Sequence, residues 1–485
     1  MSRMRIADVD VERAVVVGGG YSGQAIARTL RRLGAEVTVT DDRPADSEVI
    51  QGSARVLADL GATLRAGSHD PALIAAADLV VVSPGVPWYL PALVDRRQAG
   101  RPVWGEIELA SRLTTARLVA VTGTKGKSTT AALAARMLDA PLTNSEAYSA
   151  RGIPLVELVV DTPQADPVVV EASSYQLEGI ETFRPWVAVL LNIAEDHTER
   201  HPTRASYVYA KRRIFENQGR DDRSVYNLDD PTVRAVGDLL PTLKLGVSEQ
   251  VIPRFGVHAT AEGVFAHLPA QLGGLQDRLA RWEEVAPGLR VQRPSLLAAS
   301  AAALAAGAEP AAVHRTLTTF AGLPHRMEQV AAVDGLTFVN DSKATNPLAT
   351  ANAIAQSLGP VVLIAGGLTK GIDLSPLVEP FAKLRGLVLI GRDAPLLAEI
   401  AGRAGLTNVI RAETLEAAID LARGLAQPGD WVVLSPCGAS FDMFENFAHR
   451  GDRFRSYVQS LAGRLETDPS RLATTMQNTN VSDTV

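Results

Sequence analysis

The sequence predicts an α/β protein of three domains built on mainly parallel sheets, and three observations carry that expectation. Short Val/Ile/Leu runs alternate with alanine- and leucine-rich helical stretches, the rhythm of βαβ units. The apolar runs fall into three groups, and 485 residues suffice for about three domains that each bury a core. One run, Leu118 to Thr122, passes straight into a glycine loop and then an alanine-rich helical stretch.

In chain order, the first group opens with Arg13 to Val17, which lead into Gly18-Gly19-Gly20-Tyr21-Ser22-Gly23 and a helix. A second strand, Glu36 to Thr40, ends at Asp41-Asp42-Arg43, and the run Ala77-Asp78-Leu79-Val80-Val81-Val82 ends at Ser83-Pro84-Gly85. Gly18-x-Gly20-x-x-Gly23, with Asp41 twenty-three residues after the first glycine, fits a dinucleotide fingerprint. The same device, a helix N-terminus facing a diphosphate, also serves other nucleotides, so NAD is one of two readings.

The middle group begins at Leu118 and carries strands at Val168 to Val170 and Val187 to Leu191. The third holds Leu336 to Val339, Val361 to Ala365, Leu387 to Ile390 and Trp431 to Leu434. Boundaries fall near 108 and 321, giving domains 1–108, 109–321 and 322–465. Residues 245–295 fit neither rhythm, and Gln271 to Val285 read as an amphipathic helix. Residues 466–485 are polar without apolar period and read as a disordered tail.

Forty-eight basic against 54 acidic residues give a net charge of −6 and no Lys/Arg block, which argues against nucleic acid or an anionic membrane as partner. Small-molecule substrates are expected instead. The first ten residues lack the apolar core of a signal peptide and no uncharged 18-residue apolar stretch follows, so a cytoplasmic location is expected. The single cysteine, Cys437, follows an apolar run and reads as a packed, inert thiol.

The strongest chemical signal is Thr122-Gly123-Thr124-Lys125-Gly126-Lys127-Ser128. A glycine turn before a helix offers backbone N–H groups, the helix dipole and one lysine to phosphate oxygens together, and Ser128 falls where a hydroxyl can hold Mg²⁺. Val121 replaces the first glycine of the usual pattern, so the loop is a shortened variant. In an open α/β sheet the residues after each strand converge at one edge. That brings Glu171-Ala172-Ser173-Ser174-Tyr175-Gln176 and Asn192-Ile193-Ala194-Glu195-Asp196-His197 toward the loop. Singly, Glu171 could be a helix cap and His197 a loop histidine; beside a phosphate loop they suit metal-dependent chemistry. Taken alone, Lys211 reads as an exposed lysine on a helix from Ala210 to Glu216.

These runs, with Tyr209-Ala210-Lys211, Gly322-Leu323-Pro324-His325-Arg326, Asn340-Asp341-Ser342-Lys343-Ala344-Thr345-Asn346 and the stretch from Ser435 to Gly451, resemble the ATP-dependent Mur ligases over nearly the whole chain. The Asp-Ser-Lys-Ala-Thr-Asn run and Ser440-Phe441-Asp442-Met443-Phe444-Glu445-Asn446-Phe447 point to the D-glutamate-adding branch of that family.

The resemblance implies an N-terminal Rossmann-like UDP-binding domain, a central P-loop-type ATPase domain and a C-terminal Rossmann-like domain that takes the amino acid. The implied reaction belongs to peptidoglycan precursor synthesis. It phosphorylates the L-alanine carboxylate of UDP-N-acetylmuramoyl-L-alanine with ATP, and D-glutamate then attacks the acyl phosphate. By the family pattern Gly123, Thr124, Lys125, Gly126, Lys127, Ser128, Thr129, Asn192, Gln292, Arg326 and Asp341 bind ATP. Ser128 and Glu171 hold one Mg²⁺, His197 a second, and a carbamylated Lys211 helps to order that second metal; Lys343 lies near the reacting groups. Tyr21, Ser22, Asp42, Arg43, Ser83, Gly85, Ser173, Gln176 and His197 fall to the UDP-substrate, and Thr345, Lys370, Ser440, the backbone at Phe441 and Phe447 to D-glutamate. For Phe444 and Phe447 a core role competes.

Two departures stand out. The family's Gly-Gly-Asn-x-Gly becomes Tyr148-Ser149-Ala150-Arg151-Gly152, with Ala150 at the asparagine, and its His-Asn-x-x-Asn is missing, the nearest residues being Gln292 and Ser295. They keep open a related muramoyl or folyl amide ligase with another acceptor, or a catalytically weak nucleotide-binding homologue. A monomer is expected.

Overall fold

The computed structural model describes residues 4–143, 153–194, 200–320, 322–369 and 371–466. The chain divides into two compact units, Met1–Phe320 and Ala321–Val485. The first unit contains two large sheets. One is five-stranded and parallel, in the spatial order Thr63–Ala66, Glu36–Asp41, Arg13–Val17, Leu79–Val82, Val103–Gly105. Strand order reverses between Arg13–Val17 and Leu79–Val82, so the turns after them, at Gly18 and Ser83, flank the crevice where such sheets take ligands. Leu79–Val82 is buried throughout, as expected of a parallel strand covered on both faces.

The second sheet has nine strands. Leu118–Thr122 lies between Val168–Glu171 and Val187–Leu190, and pairing is parallel from Leu142–Thr143 across to Gly256–Ala259. Helix Arg293–Ala305 packs on helix Lys127–Leu138; from Ser295 to Ala305 every residue of it is buried, as its alanine-rich, unstriped composition demands.

The segment 245–295 differs from expectation. Gln271 to Val285 do not form an amphipathic helix: a 3₁₀ turn at Ala270–Leu272 stops at Gly273 and Gly274, which take φ of +87° and +65°. Strand Gln276–Arg281 follows, antiparallel to Gly263–His267, which itself runs antiparallel to Gly256–Ala259. Leu272, Leu275 and Leu279 mimic a helical stripe, but two left-handed glycines end any helix between them.

The second unit is a six-stranded sheet in the order Glu328–Val333, Leu336–Asn340, Trp431–Cys437, Val361–Gly366, Gly386–Ile390, Val409–Arg411, parallel except for the first hairpin. Apolar clusters cover both of its faces. Cys437 ends its strand fully buried, and burial pushes its thiol up to about 12, in keeping with an inert packed residue. Helix Phe447–Glu466 takes in Glu466, which the sequence placed in the tail; residues 467–485 lie outside the described ones. Among the described residues no helix is long and apolar enough to cross a membrane.

Candidate active site

Three adjacent strands deliver the centre of the site. Leu118–Thr122 runs into the loop Gly123 to Gly126, Val168–Glu171 ends on its carboxylate, and Val187–Leu190 leads through Leu191 to Asn192. The loop needs its glycines. Gly123 has φ +156° and a Cβ there would lie 2.8 Å from Leu191 Cβ; Gly126 has φ +84°, with Ser295 Oγ 2.8 Å from its would-be Cβ. Gly126 caps helix Lys127–Leu138 without a side chain, leaving the first-turn N–H groups open to an anion.

Side chains hold this loop from three directions. Asn192 accepts from Lys125 N (2.8 Å) and donates to Lys125 O (3.0 Å), while its own carbonyl takes Thr124 N–H (3.0 Å). Asn192 therefore braces the loop backbone. Lys127 Nζ curls back to the carbonyls of Gly123 and Thr124, both at 3.0 Å. Lys211 Nζ reaches the same Gly123 carbonyl at 2.8 Å and sits 4.7 Å from the Tyr207 ring centroid.

Lys211 corrects the reading taken from its own segment. It is 1% exposed, on helix Arg204–Arg212 followed by a 3₁₀ turn Arg213–Phe215, not an exposed lysine on a helix running to Glu216. The helix points this residue inward because Tyr207, one turn earlier, is also buried on that face.

Ser128 Oγ donates to Glu171 Oε1 at 3.0 Å, and both residues are buried. Hydroxyl and carboxylate oxygens side by side at the edge of a phosphate loop suit a hard cation that keeps most of its other ligands from water and phosphate. Among the described residues no group of three or more His, Cys, Asp and Glu is placed to hold a metal ion. His197 lies outside the described residues, as do Lys370 and residues 148–152 with Ala150. Gln292 precedes helix Arg293–Ala305 as its cap residue, and Ser295, three residues on, abuts Gly126 as described. Thr129, in the first turn of the loop helix, is buried.

At the crossover of the five-stranded sheet, Ser83 Oγ donates to Gly18 O (2.9 Å), and a Cβ on Gly23 would lie 1.8 Å from that same oxygen. Asp41 accepts from the backbone N–H groups of Gly19 (2.7 Å) and Arg43 (3.1 Å) and from Arg43 Nε (2.7 Å) and Nη2 (2.6 Å). Burial would raise its carboxyl, but the guanidinium and the two backbone N–H groups outweigh burial and hold it at about 2. The carboxylate that a dinucleotide fingerprint offers to a ribose is thus engaged with its own loop. Asp42 and Gly85 are exposed, Tyr21 is 45% exposed at the first position of helix Tyr21–Arg32, and Ser22 is half-buried.

Ser173 and Gln176 form a reciprocal capping box (Gln176 N to Ser173 Oγ 3.2 Å; Ser173 N to Gln176 Oε1 3.0 Å). Gln176 Nε2 donates in turn to Glu106 Oε2 (3.3 Å), and Glu106 also accepts from Val156 N (2.8 Å). Burial raises the Glu106 carboxyl against these hydrogen bonds. Sequence reasoning missed Glu106, since nothing in its spacing marks it. It also gave no role to Arg200, which clamps Glu178 (2.9 and 2.6 Å) and donates to Val86 O (2.9 Å) just past Gly85.

In the second unit Asp341 follows strand Leu336–Asn340 and is buried, accepting from Ser435 Oγ (2.9 Å) and Met327 N (3.1 Å). Burial pushes it up to about 7, against those hydrogen bonds and the Arg326 charge. Lys343 and Thr345 are half-buried on the same loop, and Lys343 N donates to His325 O (3.1 Å). Ser440 is buried with its hydroxyl lacking a hydrogen-bond partner among the described residues, while Phe441 is 66% exposed. Phe447 meets the His325 ring edge-on at 6.1 Å, and Phe444 is core, as one of the two competing readings had it.

Comparison with known proteins agrees with this layout. The profile of the Mur ligase middle domain matches residues 121–264, that of the Mur ligase glutamate ligase domain residues 325–438, and that of the MurD-like N-terminal domain residues 12–105. The UDP-N-acetylmuramoylalanine–D-glutamate ligase of Geobacter metallireducens is 41% identical over 461 residues, 94% of this chain and 98% of its own. That of Salinibacter ruber is 40% identical over 461 residues, covering 93% and 98%. Among solved structures, UDP-N-acetylmuramate-alanine ligase MurC from Thermotoga maritima superposes with a TM-score of 0.53 at 18% identity, covering 93% of this chain and 99% of its own. A pseudomurein peptide ligase type C from Methanothermus fervidus gives 0.52 at 18% identity, with 94% and 100% covered. These two share the fold.

Proposed function

From the premise that the chain belongs to the Mur ligase family, we propose that it is the ATP-dependent ligase that joins D-glutamate to UDP-N-acetylmuramoyl-L-alanine in peptidoglycan synthesis. The observation that carries the chemistry is the convergence of Lys127, Lys211 and the Ser128–Glu171 pair on one glycine loop. The choice of acceptor follows from similarity to D-glutamate ligases over 94% of the chain.

A carboxylate is a poor electrophile because its delocalised charge repels an amine. Transfer of the γ-phosphoryl group of ATP to the L-alanine carboxylate removes that charge and releases ADP. The amine of D-glutamate then attacks the acyl carbon, phosphate leaves with the electrons of the C–O bond, and the nitrogen gives up a proton to solvent as the amide forms. Lys127 and the first-turn N–H groups steady the phosphate oxygens through the transfer. Ser128 and Glu171 would hold one Mg²⁺ and His197 a second, which would supply charge neutralisation at those oxygens. Carbamylation of Lys211 would turn a buried cation beside the Gly123 carbonyl into an anion that could help to hold the second ion.

We assign residues 1–108 to the UDP group, through Tyr21, Ser22, Asp42, Arg43, Ser83 and Gly85, with Ser173 and Gln176 of the central domain. Residues 109–321 bind ATP, joined by Arg326 and Asp341. Residues 322–465 bind D-glutamate through Thr345, Lys370, Ser440, Phe441 and Phe447, with Lys343 beside the reacting groups. The enzyme acts on small molecules, and we place it in the cytoplasm as a monomer.

The test is phosphate release from ATP and Mg²⁺ with UDP-N-acetylmuramoyl-L-alanine and D-glutamate, L-glutamate, L-alanine or no amino acid. Release that depends on D-glutamate is expected. Release with another acceptor would make it a sister amide ligase, and binding of the UDP-substrate without release would make it a binding homologue.

A further inference from the structure

We infer that Arg450 is the positioning residue for the amino-acid side of the site, a single guanidinium that sets three loops in register; this rests on the ligase reading above. Arg450 lies on helix Phe447–Glu466 and is 1% exposed. Its Nε donates to Ser342 Oγ (3.0 Å) and its Nη2 to Ser342 O (2.9 Å), on the loop after Leu336–Asn340. Nη1 and Nη2 donate to Gly438 O (3.1 and 3.2 Å), on the loop after Trp431–Cys437. Ser342 Oγ in turn donates to Phe447 O (2.8 Å), closing the circuit onto the helix start.

The third loop leaves strand Val361–Gly366. Gly367 has φ +111° and a Cβ on it would lie 2.3 Å from Ala439 O, so only glycine lets that loop lie against the one that holds Gly438. Leu368 and Ala439 exchange backbone hydrogen bonds at 2.8 and 2.9 Å, tying it to the loop that holds Gly438. The three strands are neighbours in the sheet, so Arg450 sits at their carboxyl ends, where open α/β sheets form ligand crevices. These loops carry Lys343 and Thr345, Ser440 and Phe441, and Thr369.

Only arginine can do this. Its planar fork aims donors at fixed angles toward several carbonyls, whereas a lysine ammonium is a point charge on a flexible stem. Burial pulls the Arg450 pKa down to about 9, opposed by the Asp442 charge, so the group remains cationic at neutral pH. An apolar residue of similar volume could fill the space but would leave the Ser342 and Gly438 carbonyls without donors.

The test uses the full-length enzyme carrying Arg450→Lys and, separately, Ser342→Ala, with KM for D-glutamate and for the UDP-substrate, kcat and the unfolding midpoint measured for each. Arg450→Lys should raise KM for D-glutamate at least about tenfold, because small misplacements of binding groups are amplified in rate and affinity. KM for the UDP-substrate should stay within about twofold, and Ser342→Ala should move the same way by less. A fall in kcat with every KM unchanged would mean a smaller folded fraction only, and would overturn the assignment. If Arg450→Lys does not fold, Ser342→Ala decides alone, and an unchanged KM for D-glutamate refutes the role. A wild-type enzyme that turns over without D-glutamate dependence would overturn the ligase reading and the inference with it, whereas failure in the variants alone leaves that reading standing.

Discussion

Two lysines share one acceptor, the Gly123 carbonyl, and they differ in how they reach it. Lys127 belongs to the loop helix and folds back locally, while Lys211 arrives from 88 residues away and is buried. Local sequence can indicate the first, because Gly-Lys-Ser after a strand carries its own geometry. It cannot indicate the second, because an isolated lysine on a polar helix is more often exposed, and only packing turned this one inward. If Lys211 acts on the phosphoryl-transfer charge, Lys211→Ala should lower kcat by roughly 10²-fold or more, the scale for losing one preorganised electrostatic group. Steady-state turnover close to wild type in a folded Lys211→Ala protein would remove the residue from the machinery. Asp41 gives the opposite lesson: a residue that matched a known pattern by spacing is engaged with Gly19 and Arg43 instead.

At the scale of elements, the loops at the site are braced by carboxylates that carry no motif. Glu108, on helix Glu106–Arg112, accepts from the backbone N–H groups of Glu181, Thr182 and Phe183, from the Thr182 hydroxyl (2.7 Å) and from Arg112 Nε (2.7 Å). Burial alone would raise its pKa, yet these donors hold it below the ordinary carboxylate value. It thereby fastens the N-terminal part of the unit to the turn that precedes strand Val187–Leu190. Glu108→Ala would leave the backbone donors of Glu181, Thr182 and Phe183 and the Arg112 Nε without their acceptor, and should cost roughly 3 kcal/mol or more in urea unfolding. A loss below about 1 kcal/mol would mean that the 181–183 turn finds other acceptors. The strands themselves were legible, Arg13–Val17 to the residue, because parallel strands covered on both faces read as unbroken apolar runs. The antiparallel end of the nine-stranded sheet was not, since its short strands, glycine-led at Gly256 and Gly263 and largely exposed in Gln276–Arg281, lack such runs, and Leu272, Leu275 and Leu279 imitate a helix.

For the whole molecule, the six-stranded sheet of the second unit has a core on each face and draws its strands from Glu328–Arg411 and Trp431–Cys437 alone. A fragment spanning residues 321–485 should therefore fold by itself and unfold cooperatively in circular dichroism, and a non-cooperative melt would show that the division at Phe320 is not a folding boundary. By itself the sequence determined the α/β class, the phosphate loop and the family, because periodicity, glycine turns and a helix start act over a few residues and leave a local imprint. The tertiary structure alone decided that Lys211 faces the loop, that Glu106 stands behind Gln176, and that Arg450 ties together the loops after two neighbouring strands. Each of these depends on groups distant in sequence meeting in space, where the low polarity of a packed interior makes an unpaired donor or acceptor costly.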